Sequence, residues 1–195
     1  MAETYYKAVV MGGSAGGFDA MTEILAPLPK DFQLPILVVQ HMHPRDEGAF
    51  AKHLARATGL HVIEPFDKEA IHAGCVYTAP ANYHMLVEKN GTIALSVDEK
   101  VRWSRPSIDV LFESAAHTWF ERLIAVILSG ANHDGTHGMQ TIKALGGLTV
   151  AQSPASAEQA IMPQAAIEAV EMDYIMPPED IAALFTRLGK RPEEK

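Results

Sequence analysis

A serine, a histidine and an aspartate lie where the chain could turn an ordinary hydroxyl group into a nucleophile. Ser14 lies in the glycine-rich segment 12–17 and matches the pattern G-x-S-x-G, in which small neighbours allow a sharp turn that exposes the hydroxyl. His41 and Asp134 each follow an apolar run further along the chain. A hydroxyl needs a base, and the base needs an orienting carboxylate, so these residue types predict catalysis of the Ser-His-Asp kind.

Each of the three residues, taken alone, also has a simpler interpretation. The glycine-rich segment 12–17 is typical of a phosphate-binding turn or of a tight loop. No Gly-Lys-Ser/Thr follows it, and its glycines do not match G-x-G-x-x-G, which excludes the two common nucleotide motifs. His41 could cap a strand, and Asp134 could cap a helix N-terminus. Only the combination of the three favours catalysis.

The nine histidines allow two other arrangements. A triad in the chain order of the α/β-hydrolases would use Asp109 with His133 or His137, but helical periodicity places Asp109 on a solvent-exposed face. The spacing His41-x-His43 and the segment 133–137 suit metal ligands, yet the second contains a glycine and has no Glu in the position of an H-E-x-x-H motif. We therefore expect no catalytic metal.

Four apolar runs should form the strands that position these residues: 8–11, 36–39, 124–128 and 148–151. Continuous apolar runs suit strands that are buried on both faces, as in a parallel sheet. The functional loops of such a sheet follow the carboxyl ends of its strands. Ser14, His41 and Asp134 are therefore expected at one edge of one sheet.

Helices and a hairpin complete the predicted fold. Apolar positions with a helical period predict a helix over 107–119, and prolines at the first turn predict helices over 163–170 and 178–188. Short strands at 75–79, 84–87 and 92–96, with Asn90-Gly91 as a turn, predict an antiparallel hairpin.

These elements together predict a single α/β domain over residues 1–195, with its core at about 6–188. The expected architecture is three-layer α/β/α, with a doubly wound, mostly parallel sheet and a β-hairpin. The polar tail 190–195 is expected to fray.

Composition narrows the possible partners and compartments. The 195 residues include 16 Lys and Arg against 24 Asp and Glu, a net charge of −8, which argues against nucleic-acid binding. The N-terminus lacks the pattern of an export signal, and every apolar run is far shorter than the ~20 residues of a membrane helix. Cys75 is the only cysteine, which excludes an intrachain disulfide. We expect a cytoplasmic protein with no membrane insertion.

Six stretches of the chain match, in order, the motifs of a known family: GGSAGG at 12–17, QHM at 40–42, VYTAP at 76–80 with HM at 84–85, RPSIDVLF at 105–112, LSG at 128–130 with DG at 134–135, and AQ at 151–152. They resemble the C-terminal catalytic domain of the bacterial chemotaxis protein-glutamate methylesterases of the CheB type. The resemblance extends from residue 6 to about residue 188.

The resemblance implies a doubly wound α/β domain that hydrolyses γ-glutamyl methyl esters on the cytoplasmic helices of chemoreceptors and releases methanol. Some members also deamidate receptor glutamines. Carried over to this sequence, it makes Ser14 the nucleophile, His41 the general base and Asp134 the group that orients His41. Backbone N–H groups at Ala15 and Ala131 would form the oxyanion hole. The implied partner is the methylated cytoplasmic domain of a chemoreceptor, and no cofactor is implied.

The sequence departs from the family pattern in three places. Ala15 replaces a frequent threonine, and Ala131-Asn132-His133 replaces the usual Met-Gly-Asn before the aspartate. Phosphorylation-regulated members also carry a receiver domain, which does not fit before the first strand of this sequence, so we expect a stand-alone or an excised catalytic domain. Because of the altered loop, a second possible function is that of a catalytically weak regulatory module that binds a receptor. A third possible function is that of an esterase of small molecules.

Overall fold

The computed structural model describes residues 6–189, and its strands follow the apolar runs of the sequence closely. The strands are β1 Ala8–Gly13, β2 Ile36–Gln40, β3 His61–Ile63, β4 Cys75–Thr78, β5 His84–Val87, β6 Ile93–Ser96, β7 Leu123–Ile127, β8 Leu148–Gln152 and β9 Tyr174–Met176. The helices are α1 Gly17–Leu25, α2 Ala49–Thr58, α3 Ile108–Trp119, α4 Thr136–Ala144, α5 Ile161–Ala169 and α6 Pro178–Leu188.

Seven of these strands form one parallel sheet in the order β3-β4-β2-β1-β7-β8-β9, and β5 and β6 form a separate antiparallel hairpin. The strand β1 is central, with β2 on one side and β7 on the other. The chain moves outward from β1 in one direction and later continues from β7 in the other. The edge beyond β1 is therefore a topological switch point, where α/β sheets generally bind their ligands.

Helices cover both faces of the sheet. Alternate residues of β1 point to opposite faces, so that Val10 packs in one apolar core with residues of α3, α4 and α5. Val9 and Met11 pack in the other core with residues of α1, α2 and α6. The strand β1 is buried along its whole length, as expected for a continuous apolar run. This arrangement confirms the predicted three-layer α/β/α fold.

The register of the central strands sets the geometry of the carboxyl edge. Gly13 of β1 pairs with Gln40 of β2, and Gly12 pairs with Ile127 of β7. Ser14 and His41 are the residues that directly follow the first of these pairs. They therefore leave neighbouring strands at the same level of the sheet.

Some elements differ from the sequence-based expectation. The strand β4, which lies in the segment expected to form a hairpin, belongs to the parallel sheet between β3 and β2, and only β5 and β6 form the hairpin. The helix α5 begins two residues before Pro163. The edge strands β3 and β9 have three residues each, too few for a clear periodic signal. The tail 190–195 lies outside the described residues.

Between residues 6 and 189 the structure contains no helix whose length and apolar character would let it cross a bilayer.

Candidate active site

Two glycines shape the turn that carries Ser14. Gly16 has φ 74°, in the left-handed region, and a Cβ atom there would lie 2.6 Å from Ser129 Oγ. A Cβ atom at Gly17 would collide with the side chain of Gln40. The Gly17 N–H donates to the Ser14 carbonyl oxygen at 2.8 Å and closes the turn just before α1. The chain thus passes from strand to helix over Ser14, as G-x-S-x-G requires.

Hydrogen bonds from both neighbouring strand ends hold the backbone of Ser14. Its N–H donates to Ser129 O at 2.9 Å, and its carbonyl oxygen accepts from Gln40 Nε2 at 2.7 Å. Ser14 is partly exposed, and its hydroxyl makes no hydrogen bond to any group within residues 6–189. The backbone is fixed while the hydroxyl remains available to a substrate.

His41 is held beside Ser14 by its backbone and points its imidazole at Asp134. The His41 N–H donates to Gly13 O at 3.0 Å, which continues the pairing of β1 and β2 by one residue. Its Nε2 lies 2.8 Å from Asp134 Oδ2, and its side chain is 12% exposed. The imidazole is therefore largely shielded from solvent.

The buried carboxylate of Asp134 accepts hydrogen bonds from four donors. Its Oδ2 accepts from His41 Nε2 at 2.8 Å and from the Ile108 N–H at 2.7 Å. Its Oδ1 accepts from Ser107 Oγ at 2.9 Å and from the Asp109 N–H at 3.1 Å. Burial opposes ionisation of this carboxyl, but the hydrogen bonds from His41, Ile108 and Asp109 outweigh burial and lower the pKa of Asp134.

Asp134 thus combines the two roles that its sequence position suggested separately. It contacts the candidate base, and it also caps the N-terminus of α3, because Ile108 and Asp109 are the first two residues of that helix. The capped helix is not α4, which follows Asp134 directly and begins after Gly135. An ionised carboxylate can only accept hydrogen bonds, so His41 carries its proton on Nε2.

Asn132 is a neighbour of His41 that the sequence did not assign to the site. Its Nδ2 donates to His41 Nδ1 over 3.2 Å, and its Oδ1 accepts from the Asp134 N–H at 2.9 Å. The second contact fixes the orientation of the amide, since a backbone N–H can only donate. Its sequence signal was its position in the loop that departs from the family pattern.

No hydrogen bond joins Ser14 to His41 within the described residues. The two residues lie at adjacent strand ends, and neighbouring strands of a sheet are ~4.8 Å apart. The Nδ1 atom, the unprotonated nitrogen of His41, is the one that Asn132 contacts. The structure therefore brings His41 and Asp134 into contact and places Ser14 at the strand end beside His41.

The backbone amides proposed for the oxyanion hole are both free to bind a substrate. Ala15 and Ala131 are exposed, and neither N–H donates to an acceptor in the described part of the chain. Ala15 directly follows Ser14. Gly130, which precedes Ala131, is anchored because its N–H donates to Gln159 O at 3.0 Å.

The alternative triad with Asp109 does not assemble, and the expected exposure of Asp109 is wrong. Asp109 is 4% exposed, because α4 packs against α3 and the Gly138 N–H donates to Asp109 Oδ1 at 2.8 Å. Burial, together with the charge of Asp134, raises the pKa of Asp109. His137 Nδ1 instead contacts Glu113 at 2.7 Å on the surface.

Among residues 6–189, no three His, Cys, Asp or Glu side chains lie close enough to hold a metal ion. A cleft of about 170 Å³ opens beside the imidazole of His41 instead, and Met42, Asn82, Trp103 and Arg105 are among its lining residues. The site thus offers a hydroxyl, an imidazole, a carboxylate and free backbone amides, and the imidazole also lines a small cleft.

Comparison with known proteins finds methylesterases that are similar to this protein over nearly the whole chain. The family model described as CheB methylesterase matches residues 9–185. A protein of Leptospira interrogans, named a putative protein-glutamate methylesterase/protein-glutamine glutaminase, is 49% identical over 185 residues, which cover 95% of this chain and 96% of the relative.

Two further relatives are more distant. The crystal structure of the Thermotoga maritima CheB methylesterase catalytic domain has a TM-score of 0.89 and 35% sequence identity, over 94% of this chain and 98% of that one. A protein-glutamate methylesterase/protein-glutamine glutaminase of Symbiobacterium thermophilum is 37% identical over 93% of this chain. The chain spans only 50% of the length of that relative.

Proposed function

The chain belongs to the CheB methylesterase family, and we propose that it hydrolyses glutamate γ-methyl esters on the cytoplasmic domain of chemoreceptors, with Ser14 as its nucleophile. The proposal places the protein in the cytoplasm, where that domain lies. The observation that carries it is the 2.8 Å contact between His41 Nε2 and Asp134 Oδ2 at the strand end next to Ser14.

Acyl transfer to Ser14 uses the nitrogen of His41 that faces away from the carboxylate. Asp134 accepts a hydrogen bond from the Nε2–H of His41, so the lone pair of the imidazole is on Nδ1. In the common Ser-His-Asp arrangement the two nitrogens have the opposite roles. As Ser14 Oγ attacks the ester carbonyl carbon, its proton moves to Nδ1, and Asp134 stabilises the imidazolium that forms.

Collapse of the tetrahedral intermediate breaks the bond to the methoxy oxygen, which takes the Nδ1 proton and leaves as methanol. A water molecule then gives a proton to Nδ1 and attacks the acyl carbon, and the proton returns to Ser14 when glutamate is released. The Ala15 and Ala131 N–H groups would stabilise the oxyanion in both halves, and the loss of one such donor typically costs ~10²–10³ in rate.

The same steps extend to receptor glutamines, because an amide carbonyl can acylate Ser14 in the same way. The leaving group is then ammonia, and the Nδ1 proton of His41 is again available to it. The curated relatives are named protein-glutamine glutaminases as well as methylesterases, which supports this second activity.

Release of methanol from a methylated receptor fragment tests the proposal. Ser14→Ala should abolish release while circular dichroism and the unfolding midpoint stay unchanged. Ser156→Ala is the matched control, since Ser156 is an exposed serine whose hydroxyl donates locally to Ser153 O at 2.9 Å. Continued methanol release by Ser14→Ala would refute the assignment of the nucleophile.

A receptor-binding module without catalysis is the second candidate, and one contact favours it. Asn132 Nδ2 contacts the nitrogen that must accept the serine proton. Tight binding of the methylated receptor by the wild-type chain, with no release of methanol or ammonia, would support this candidate instead.

A further inference from the structure

The most exposed large apolar side chain of the described residues lines the cleft beside His41. Trp103 is 93% exposed, and it lines the same cleft as His41. Single exposed apolar side chains are common on protein surfaces, so the feature that distinguishes Trp103 is its position in the cleft beside His41. Tryptophan is also among the residues that contribute most to binding at protein interfaces.

The turn that carries Trp103, residues 100–105, holds the indole outward at a conformational cost. Arg102 has φ 47° and Trp103 has φ 68°, a left-handed backbone that residues with a Cβ atom rarely adopt. Val101 and Ser104 close the turn with two backbone hydrogen bonds, of 3.1 Å and 2.8 Å. Such strain persists only where the surrounding structure enforces it, and it is concentrated at functional sites.

Side-chain contacts attach this turn to the rest of the site. Arg105 Nη1 donates to Val97 O at 2.6 Å and to Asp98 O at 2.8 Å. Arg102 Nε lies 3.5 Å from Asp109 Oδ2, and the Asp109 N–H donates to Asp134, the carboxylate that orients His41. The turn is therefore linked to the carboxylate that orients His41 through Arg102 and Asp109.

The charge of the turn is opposite to that of the chain as a whole. Residues 100–105 contain Lys100, Arg102 and Arg105 and no acidic residue, whereas the protein has a net charge of −8. Lys100 and Arg105 also line the cleft beside His41. Asp98 and Glu99 precede the turn and Arg102 pairs with Asp109, so the cations that remain on the cleft side for a negatively charged partner are Lys100 and Arg105.

We propose that the turn 100–105 is the docking element for the polypeptide substrate, an acidic protein segment that carries the methylated glutamate. Trp103 contacts the apolar side chains of that segment, and Lys100 and Arg105 face carboxylates that flank the ester. The cleft of about 170 Å³ is lined by this turn and by His41 but not by Ser14, so the exposed indole faces the polypeptide around the ester and not the reacting group. This inference rests on the proposed function, whose substrate it specifies.

The test compares a methylated receptor fragment with a small soluble ester, N-acetylglutamate γ-methyl ester N-methylamide. Trp103→Asn removes the indole with a residue that tolerates left-handed backbone. It should raise KM for the receptor fragment about 10-fold to 30-fold and leave kcat/KM for the small ester within about twofold. Trp103→Phe keeps an aromatic ring, so its KM for the receptor fragment should be close to that of the wild type. Lys100→Glu should raise the KM for the receptor fragment and make it less dependent on salt concentration.

Phe120→Asn is the matched control, because Phe120 is also an exposed aromatic residue with positive φ, at 51°, and it lies at the end of α3 away from the site. It should leave both substrates unaffected. An unchanged receptor KM in Trp103→Asn, or an equal loss on both substrates, would overturn the docking proposal.

Binding of the receptor fragment in a Ser14→Ala background separates this proposal from the proposed function. If the docking proposal is correct, Trp103→Asn weakens that binding about 10-fold or more. Trp103-dependent binding without methanol release by the wild-type chain would refute the proposed function alone. Normal methanol release with binding that does not depend on Trp103 would refute docking alone.

Discussion

Replacement of Asp134 by asparagine should slow methanol release by ~10⁴ and destabilise the protein by about 2–4 kcal/mol. The two effects have one origin, because the same carboxylate orients His41 and caps α3. The rate loss follows from the tautomer of the imidazole, and the loss in stability follows from the backbone donors. Both can be derived from the hydrogen bonds of a single side chain.

Each oxygen of the Asp134 carboxylate faces one backbone N–H, from Ile108 or from Asp109. An asparagine amide has one NH₂ group, so in either orientation it faces an N–H that can only donate. A lost hydrogen bond to a charged acceptor costs about 1.5–3 kcal/mol, and the remaining bonds weaken because the acceptor becomes neutral. When the NH₂ group faces His41, Nε2 must accept its hydrogen bond, so the imidazole proton moves to Nδ1. Nδ1 is then no longer free to take the proton of Ser14.

Urea unfolding and methanol release measure the two effects in parallel. Ser107→Ala is the matched control, because it removes one donor to the carboxylate and leaves His41 and both backbone bonds in place. It should cost about 1 kcal/mol in stability and less than ~10-fold in rate. A near-normal rate in Asp134→Asn would make Asp134 a helix cap alone, and unchanged stability would refute the capping argument.

The pH dependence of stability gives an independent check on Asp134. The fold lowers the pKa of Asp134, so its contribution is present above the pKa of an unfolded aspartate, about 3.9, and is lost as pH falls through the lower folded value. The difference in unfolding free energy between wild type and Asp134→Asn should therefore narrow below about pH 4. A constant difference between pH 7 and pH 3 would contradict the shift.

Three further predictions concern neighbouring groups. Asn132→Ser keeps an oxygen that can accept from the Asp134 N–H, and it removes the amide that donates to the lone pair on His41 Nδ1. A fluorophosphonate should therefore label Ser14 about threefold to tenfold faster in this variant. Slower labelling would mean that Asn132 positions the base. Burial raises the pKa of Tyr77 to about 12, so the stability that its neutral phenol contributes is present below about pH 10 and is lost as pH rises through about 12. Tyr77→Phe cannot ionise, so the loss of stability between about pH 10 and pH 12, followed by circular dichroism, should be smaller in this variant. Burial also raises the pKa of Asp109, so the ionised carboxylate destabilises the fold at pH 7. Asp109→Asn can still accept from the Gly138 N–H and should raise the unfolding free energy at pH 7 by about 1 kcal/mol in urea titrations. This gain should vanish near pH 3, where Asp109 is protonated in both states.

The central strands and the edge that carries the site were predictable because they depend on local patterns. A run such as Val9 and Val10, apolar at consecutive positions, suits burial on both faces of a sheet. The residues that follow such runs must lie at the carboxyl edge. That rule was enough to group Ser14 with His41, since β1 and β2 pair in parallel up to Gly13 and Gln40.

Contacts between elements that are distant in sequence were not predictable in this way. The periodicity of α3 identifies the side that packs on the sheet, but it does not show that α4 covers Asp109 from another direction. Nor does it show that Asp134, 25 residues beyond Asp109, caps the N-terminus of that helix. The contact of Asn132 with His41 depends on the path of one loop, and no propensity of the residue specifies it.

These long-range contacts connect the turn 100–105 to the base through the start of α3. Asp134 caps the helix at Ile108 and Asp109, and the side chain of Asp109 faces Arg102 of the turn at 3.5 Å. A substitution that frees the helix N-terminus therefore removes an anchor of the turn as well as the orientation of the base. Asp134→Asn should accordingly raise KM for the receptor fragment while it lowers kcat, whereas Trp103→Asn should raise that KM alone. If KM stays unchanged in Asp134→Asn, the turn and the base are positioned independently.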